Sequence, residues 1–166
     1  MSAQTVIDSL EFARTEQILR GSLPVAGLAR LPDGLYDTLG LVDFVVRGGH
    51  DARHRPTLSL EVSGVLHLKC QRCLGHLDHL LRFGTTLLLA SPAEAQAGGL
   101  DKEEGEWIEP SAQLDIASLV EDEIILSLPY SPRHPDGQCR PNRDPSTPDE
   151  HRSAFAQLAT LKRNSN

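Results

Sequence analysis

Thr57-Leu58-Ser59-Leu60-Glu61-Val62-Ser63-Gly64-Val65-Leu66-His67-Leu68-Lys69 alternates apolar and polar side chains. Leu58, Leu60, Val62, Leu66 and Leu68 take even positions, with Gly64 among them; the odd positions are polar except for Val65. Successive side chains of a strand point to opposite faces, so this pattern is that of a strand with one face on a core. Cys70 continues the even, core-facing register. After Cys70-Gln71-Arg72-Cys73-Leu74-Gly75 a second run begins, with Leu77, Leu81, Phe83, Leu87 and Leu89 opposed by Asp78, Arg82, Gly84 and Thr86. The two runs predict an antiparallel hairpin whose tip, Cys70 to Gly75, carries two cysteines.

Upstream, Leu41-Val42-Asp43-Phe44-Val45-Val46 reads as a third strand from its β-branched residues, ending at Gly48-Gly49, with a polar loop from His50 to Pro56. Ile18 to Val25 has the composition of a strand, and Pro24 assigns it to an edge or a strand end. Pro32-Asp33-Gly34 is a turn signal. Downstream, Ser91 to Pro110 reads as an acidic loop, within which Trp107-Ile108 marks a short strand. Asp115 is positioned as a helix N-cap. Ile116, Leu119, Val120 and Ile124 follow it at helical spacing, Glu121 and Asp122 fall off that face, and Pro129 stops the run. Six prolines between 129 and 148 predict an extended strip, and Glu150 to Arg163 a last short helix. The expected architecture is α+β: a twisted antiparallel sheet, open or curled toward a barrel, covered by one main helix. Residues 1–130 form the expected domain, and 131–166 an extended Pro-rich tail.

Composition restricts the function classes. Aromatics are only 4% of the chain, so the core must be built from Leu, Val, Ile and Ala. MSAQTVIDSL has neither the basic nor the apolar region of a signal peptide, and no apolar run is long enough to cross a membrane. The expected address is the cytoplasm, where thiols stay reduced. Ten acidic residues against Lys102 give 94–123 a local charge of −9; the total is −7, so the remainder is at +2. Between Arg47 and Arg82 six basic residues face three acidic ones, and five of the seven histidines lie there. One basic and one acidic face fit this segregation better than a uniformly basic nucleic-acid binder.

Two groups of residues carry possible chemistry. Cys70, Cys73, His134 and Cys139 form a Cys3His set of the kind that holds zinc. The same thiols also read as small packing residues in reduced form. A redox role suits the motif less, because such a dithiol is activated at a helix N-terminus and this one lies between strands. Arg53, Arg55, Arg72, His76 and Arg82 are candidate phosphate contacts for RNA, with a solvated charged face as the alternative. Glu121, Asp122 and Glu123 point in different directions from a helix and do not converge on one ion. The chain contains no Ser-His-Asp logic, phosphate-cradling glycine loop or HExxH, so nothing in it argues for an enzyme or a small-molecule substrate.

Leu68-Lys69-Cys70-Gln71-Arg72-Cys73, followed by Leu119-Val120-Glu121-Asp122-Glu123-Ile124-Ile125-Leu126-Ser127-Leu128-Pro129, resembles the YceD family of large ribosomal RNA subunit accumulation proteins. Pro132, His134 and Cys139, and the tail Phe155-Ala156-Gln157-Leu158-Ala159-Thr160-Leu161-Lys162-Arg163, fit the same pattern. The resemblance covers roughly residues 60–163. It implies a bacterial-type cytoplasmic protein needed for synthesis, processing or stability of 23S rRNA, with no catalytic residue. The expected partners are 23S rRNA or its precursor particles. An adaptor reading has the acidic 94–123 segment dock a basic ribosomal protein or assembly factor.

Overall fold

The two alternating runs pair over their whole length. The structure, a computed structural model, describes residues 6–31, 34–98 and 106–139. Strands β4 (Pro56–Lys69) and β5 (His76–Leu89) form the antiparallel hairpin, in register from Thr57 opposite Leu88 to Lys69 opposite His76. β3 (Leu41–His50) pairs antiparallel with β4, and β2 (Ile18–Pro24) with β3. Pro24 closes the edge strand, where its missing N–H costs no ladder bond. β6 (Trp107–Ile108) adds to β5 in parallel, giving the order β2-β3-β4-β5-β6. Long paired strands twist, and this sheet curls into a half-barrel.

Its concave face holds the core. Val42, Phe44 and Val46, Leu58, Leu60, Val62, Leu66 and Leu68, and Leu81, Leu87 and Leu89 are buried from three successive strands. Ile116–Ser127 is α3, after α1 (Ser9–Arg14) and α2 (Pro92–Gly98), and closes this face with Ile116, Leu119, Val120 and Ile124, the stripe expected from the sequence. At about 1.5–3 kcal/mol per fully buried large aliphatic side chain, this stripe is a principal stabilising contact. Asp115 caps the helix by accepting the Ala117 N–H at 3.0 Å and the Ser118 hydroxyl at 3.1 Å.

The N-terminal segment closes another part of the core. β1 (Val6–Ile7) pairs with β7 (Leu114–Asp115), just ahead of α3. Asp8 then caps α1 (Ser9–Arg14), which buries Phe12 and Ala13. The backbone of α1 approaches β3 so closely that a Cβ on Gly48 would lie 2.2 Å from the Phe12 carbonyl oxygen. β3 continues to His50 instead of ending at the glycine pair, because β4 pairs with it there, Gly48 opposite Leu58, Gly49 opposite Thr57 and His50 opposite Pro56. In the expected loop after Ser91, α2 (Pro92–Gly98) forms instead, opened by a reciprocal cap between Ser91 and Glu94. Trp107 packs with Leu88, Ala90 and Ala95 beneath it.

Two of the helix carboxylates differ from the expected solvated face. Glu121 is buried and accepts the Arg30 backbone N–H at 2.6 Å and its Nε–H at 3.3 Å. Arg30 also pairs with Asp122 at 2.5 Å, so one arginine pins the loop before β3 to α3. Glu123 is 7% exposed, and burial first, then Glu106 and Asp122, raise its pKa. A carboxyl whose pKa rises on folding favours the native state below its unfolded pKa and loses that contribution as pH climbs through the folded value. Glu123→Gln is therefore expected to raise the melting temperature at pH 8 and to leave it nearly unchanged at pH 4. Equal shifts at both pH values would show that ionisation at this position carries no cost.

Residues 131–139 do not run free of the domain: Gln71 N–H donates to the Pro132 carbonyl at 2.8 Å at the hairpin tip. The expected helix at 150–163 lies outside the described residues, as does the rest of the tail from residue 140.

Candidate functional site

The hairpin tip is shaped by its backbone. Cys70 N–H donates to the Gly75 carbonyl at 2.9 Å, and Leu74 N–H donates to the Cys70 carbonyl at 2.8 Å. Leu74 adopts φ +58°, a left-handed conformation that usually falls to glycine or asparagine. Cys70 is fully buried, and Cys73 is half-buried.

The strip after α3 returns to this turn. Cys139 Sγ lies 3.6 Å from Cys70 Sγ, and His134 Nδ1 lies 3.5 Å from Cys73 Sγ and 3.7 Å from Cys139 Sγ. The four side-chain donor atoms all fall within 4.8 Å of one another. The three thiols are free, with no disulfide among them. His134 Nε2 is 2.8 Å from the His76 carbonyl oxygen. A carbonyl only accepts, so Nε2 carries a proton, and Nδ1 is the ring atom turned toward the sulfurs.

The surroundings lower the thiol pKa at two of the three positions and raise it at the third. Burial opposes ionisation of Cys70, yet the backbone N–H groups of Cys73, Arg72 and His134 outweigh it and bring its pKa to about 5. Arg72 Nε–H donates to Cys139 Sγ at 2.9 Å and lowers that thiol's pKa. At Cys73 the Gly75 N–H pulls the pKa down, but burial and the neighbouring Cys70 and Cys139 sulfurs push it up overall. The contact with Cys139, then the His76 carbonyl, raises the pKa of His134.

A second polar cluster sits on the outer face of the same hairpin end. His67 Nδ1 lies 2.8 Å from Asp37, His76 Nε2 lies 3.2 Å from Asp78, and the His76 ring meets Tyr36 edge-on at 5.3 Å. The Leu39 N–H first, and then His67, hold the Asp37 carboxyl below its usual pKa. Sequence reading did not assemble this cluster. Its one local signal was the odd, outward parity of His67; Tyr36 and Asp37 arrive through the contact of Leu35 with Leu68.

The basic candidates do not gather into one patch. Arg53 and Arg55 occupy the β3–β4 turn, where Asp51 accepts both backbone N–H groups and bonds Arg55 Nε at 2.7 Å. Arg72 is at the opposite end of β4, roughly 40 Å away at about 3.3 Å per residue. There it contacts Cys139 and pairs with Asp136 at 3.2 Å. His76 opens β5 beside Arg72, and Arg82 is exposed on the outer face opposite Ser63. Arg72, His76 and Arg82 therefore share the β4–β5 hairpin, and Arg53 and Arg55 lie at its far end.

No helix among the described residues is long and apolar enough to cross a membrane. No curated protein and no solved structure matches the chain. A family model does match, over residues 58–162, more than half of the chain: Large ribosomal RNA subunit accumulation protein YceD. The matched span contains the hairpin, the cysteine turn, α3, and the returning strip with His134 and Cys139. On that match, the chain belongs to the YceD family.

Proposed function

We propose that this protein is a non-enzymatic, cytoplasmic factor that supports synthesis, processing or stability of 23S rRNA, and through it large-subunit biogenesis in a bacterial cell. The observation that carries this reading is the family match over residues 58–162, whose description names accumulation of the large-subunit RNA and no reaction. The charge pattern supports a limited RNA contact. Lys69, Arg72, His76 and Arg82 line the β4–β5 hairpin, but Glu61 and Asp78 share its outer face. A surface with about three phosphate contacts has a shallow salt dependence, with a log–log slope near −0.9 per contact. Such a factor recognises precursor particles in preference to bare RNA.

The adaptor reading has less in its favour. Glu94 and Asp115 cap helices, Glu106 accepts the Thr85 hydroxyl, and Glu121 and Asp122 hold Arg30. Half of the ten acidic residues in 94–123 are thus engaged inside the fold.

In a sucrose gradient of cell extract at low salt, the protein is expected to sediment with large-subunit precursors, and Lys69→Glu with Arg82→Glu to release it. Depletion is expected to lower 23S rRNA relative to the small-subunit RNA. A protein that stays at the top of the gradient, together with unchanged 23S rRNA after depletion, would sink this reading.

A further inference from the structure

We propose that Cys70, Cys73, His134 and Cys139 form a closed structural Zn2+ site that clasps the strip after α3 to the tip of the β4–β5 hairpin. The distances have the size of a coordination tetrahedron. With Zn–S about 2.3 Å and Zn–N about 2.0–2.1 Å, its sulfur–sulfur and sulfur–nitrogen edges are about 3.8 and 3.6 Å. The measured separations are 3.6 Å for Cys70–Cys139, 3.5 Å for Cys73–His134 and 3.7 Å for Cys139–His134. A disulfide would need its sulfurs at about 2.05 Å. Van der Waals packing of thiols requires no histidine nitrogen turned toward all of them.

The surroundings of the ligands fit a metal as well. The Nε2–H bond to the His76 carbonyl fixes the His134 ring with Nδ1 inward, as the outer partner of a zinc-bound histidine does. Zn2+ with three thiolates and a neutral imidazole carries a net −1 charge. The Arg72 guanidinium, 2.9 Å from Cys139 Sγ, offsets it. Four protein ligands leave no open position, so the site is structural and not catalytic.

The strip itself needs such a tie. Of residues 131–139, Pro132, His134 and Cys139 are half-buried and the other six are exposed, so the segment buries little apolar surface to offset its ordering entropy. Two of those three are metal ligands. On binding, Zn2+ displaces the remaining thiol protons to solvent, and the energy of coordination goes into holding the strip in place.

The test uses the full-length protein purified without a metal-affinity tag. Elemental analysis is expected to find one zinc per chain, and Co2+ exchange the intense visible bands of a tetrahedral thiolate-rich site. Cys139→Ser and His134→Ala are each expected to lose the metal, and Arg72→Ala to weaken it roughly ten-fold or more. Should a ligand variant fail to fold, hydrogen exchange on the chelated wild type keeps the proposal testable. Gln71 and residues 132–139 are expected to lose protection on chelation, with β3 and β4 unchanged. Three results would overturn the site: less than about one zinc per several chains, metal retained by both ligand variants, or a Cys70–Cys139 disulfide in the freshly isolated protein.

Discussion

Ile124→Asp is expected to leave no cooperatively folded protein at neutral pH, whereas Leu126→Asp, two residues on, is expected to melt close to the wild type. Ile124 is fully buried between α3 and the concave face of the sheet, and Leu126 is 71% exposed on the other side of the same helix. Removing a buried Ile side chain costs about 2–5 kcal/mol through lost transfer energy and the cavity left behind. The introduced carboxylate then remains charged without a partner or takes up a proton, and either course adds several kcal/mol. The sum approaches the whole stability of a typical domain, about 5–15 kcal/mol. Circular dichroism during thermal and urea unfolding distinguishes the outcomes. A soluble Ile124→Asp variant with a native transition would show that α3 does not cover the sheet as described.

Gly48→Ala is expected to destabilise the protein by about 2–4 kcal/mol, and Gly49→Ala to stay within about 0.5 kcal/mol of wild type. The two glycines are adjacent on β3 but face different surroundings. A Cβ on Gly48 would stand 2.2 Å from the Phe12 carbonyl oxygen and 2.8 Å from the Ala13 Cα, both backbone atoms of α1. On Gly49 the nearest atom would be the Thr57 hydroxyl oxygen at 3.8 Å, an ordinary contact. Accommodating a methyl group at the first position means moving α1 off the sheet, with loss of the bond from Gly48 N–H to the Gln17 carbonyl and of Phe12 burial. Urea denaturation of the two variants measures the difference. Equal costs would mean that α1 can shift freely over β3.

The parts of this fold that could be read from the chain alone are those set by local repetition. Thr57 to Lys69 and Leu77 to Leu89 alternate strictly enough that a one-residue slip would turn their core leucines to the outer face. Asp115 followed by apolar residues at helical spacing specifies where α3 begins and what it buries. The capping box at Ser91 and Glu94 was equally local, but the acidic composition around it read as loop. Tertiary contacts decided the rest. α1 is only six residues long, and its place depends on Phe12 and on the bare face of Gly48, remote in sequence. The buried state of Glu121 depends on Arg30, which no period along α3 announces.

The cysteine turn divides in the same way. A CxxC at a hairpin tip is visible in the sequence because a turn of that length keeps two side chains close. Whether His134 and Cys139 come back to it involves separations of more than sixty residues, and no local preference encodes that return. It depends on the strip leaving α3 at Pro129 and meeting the Gln71 N–H and the His76 carbonyl. By contrast, Arg53 and Arg72 stand at opposite ends of β4 because a single extended strand lies between them. Patterning of neighbouring residues determines which elements form, whereas hydrogen bonds and packing between distant ones determine which side chains meet.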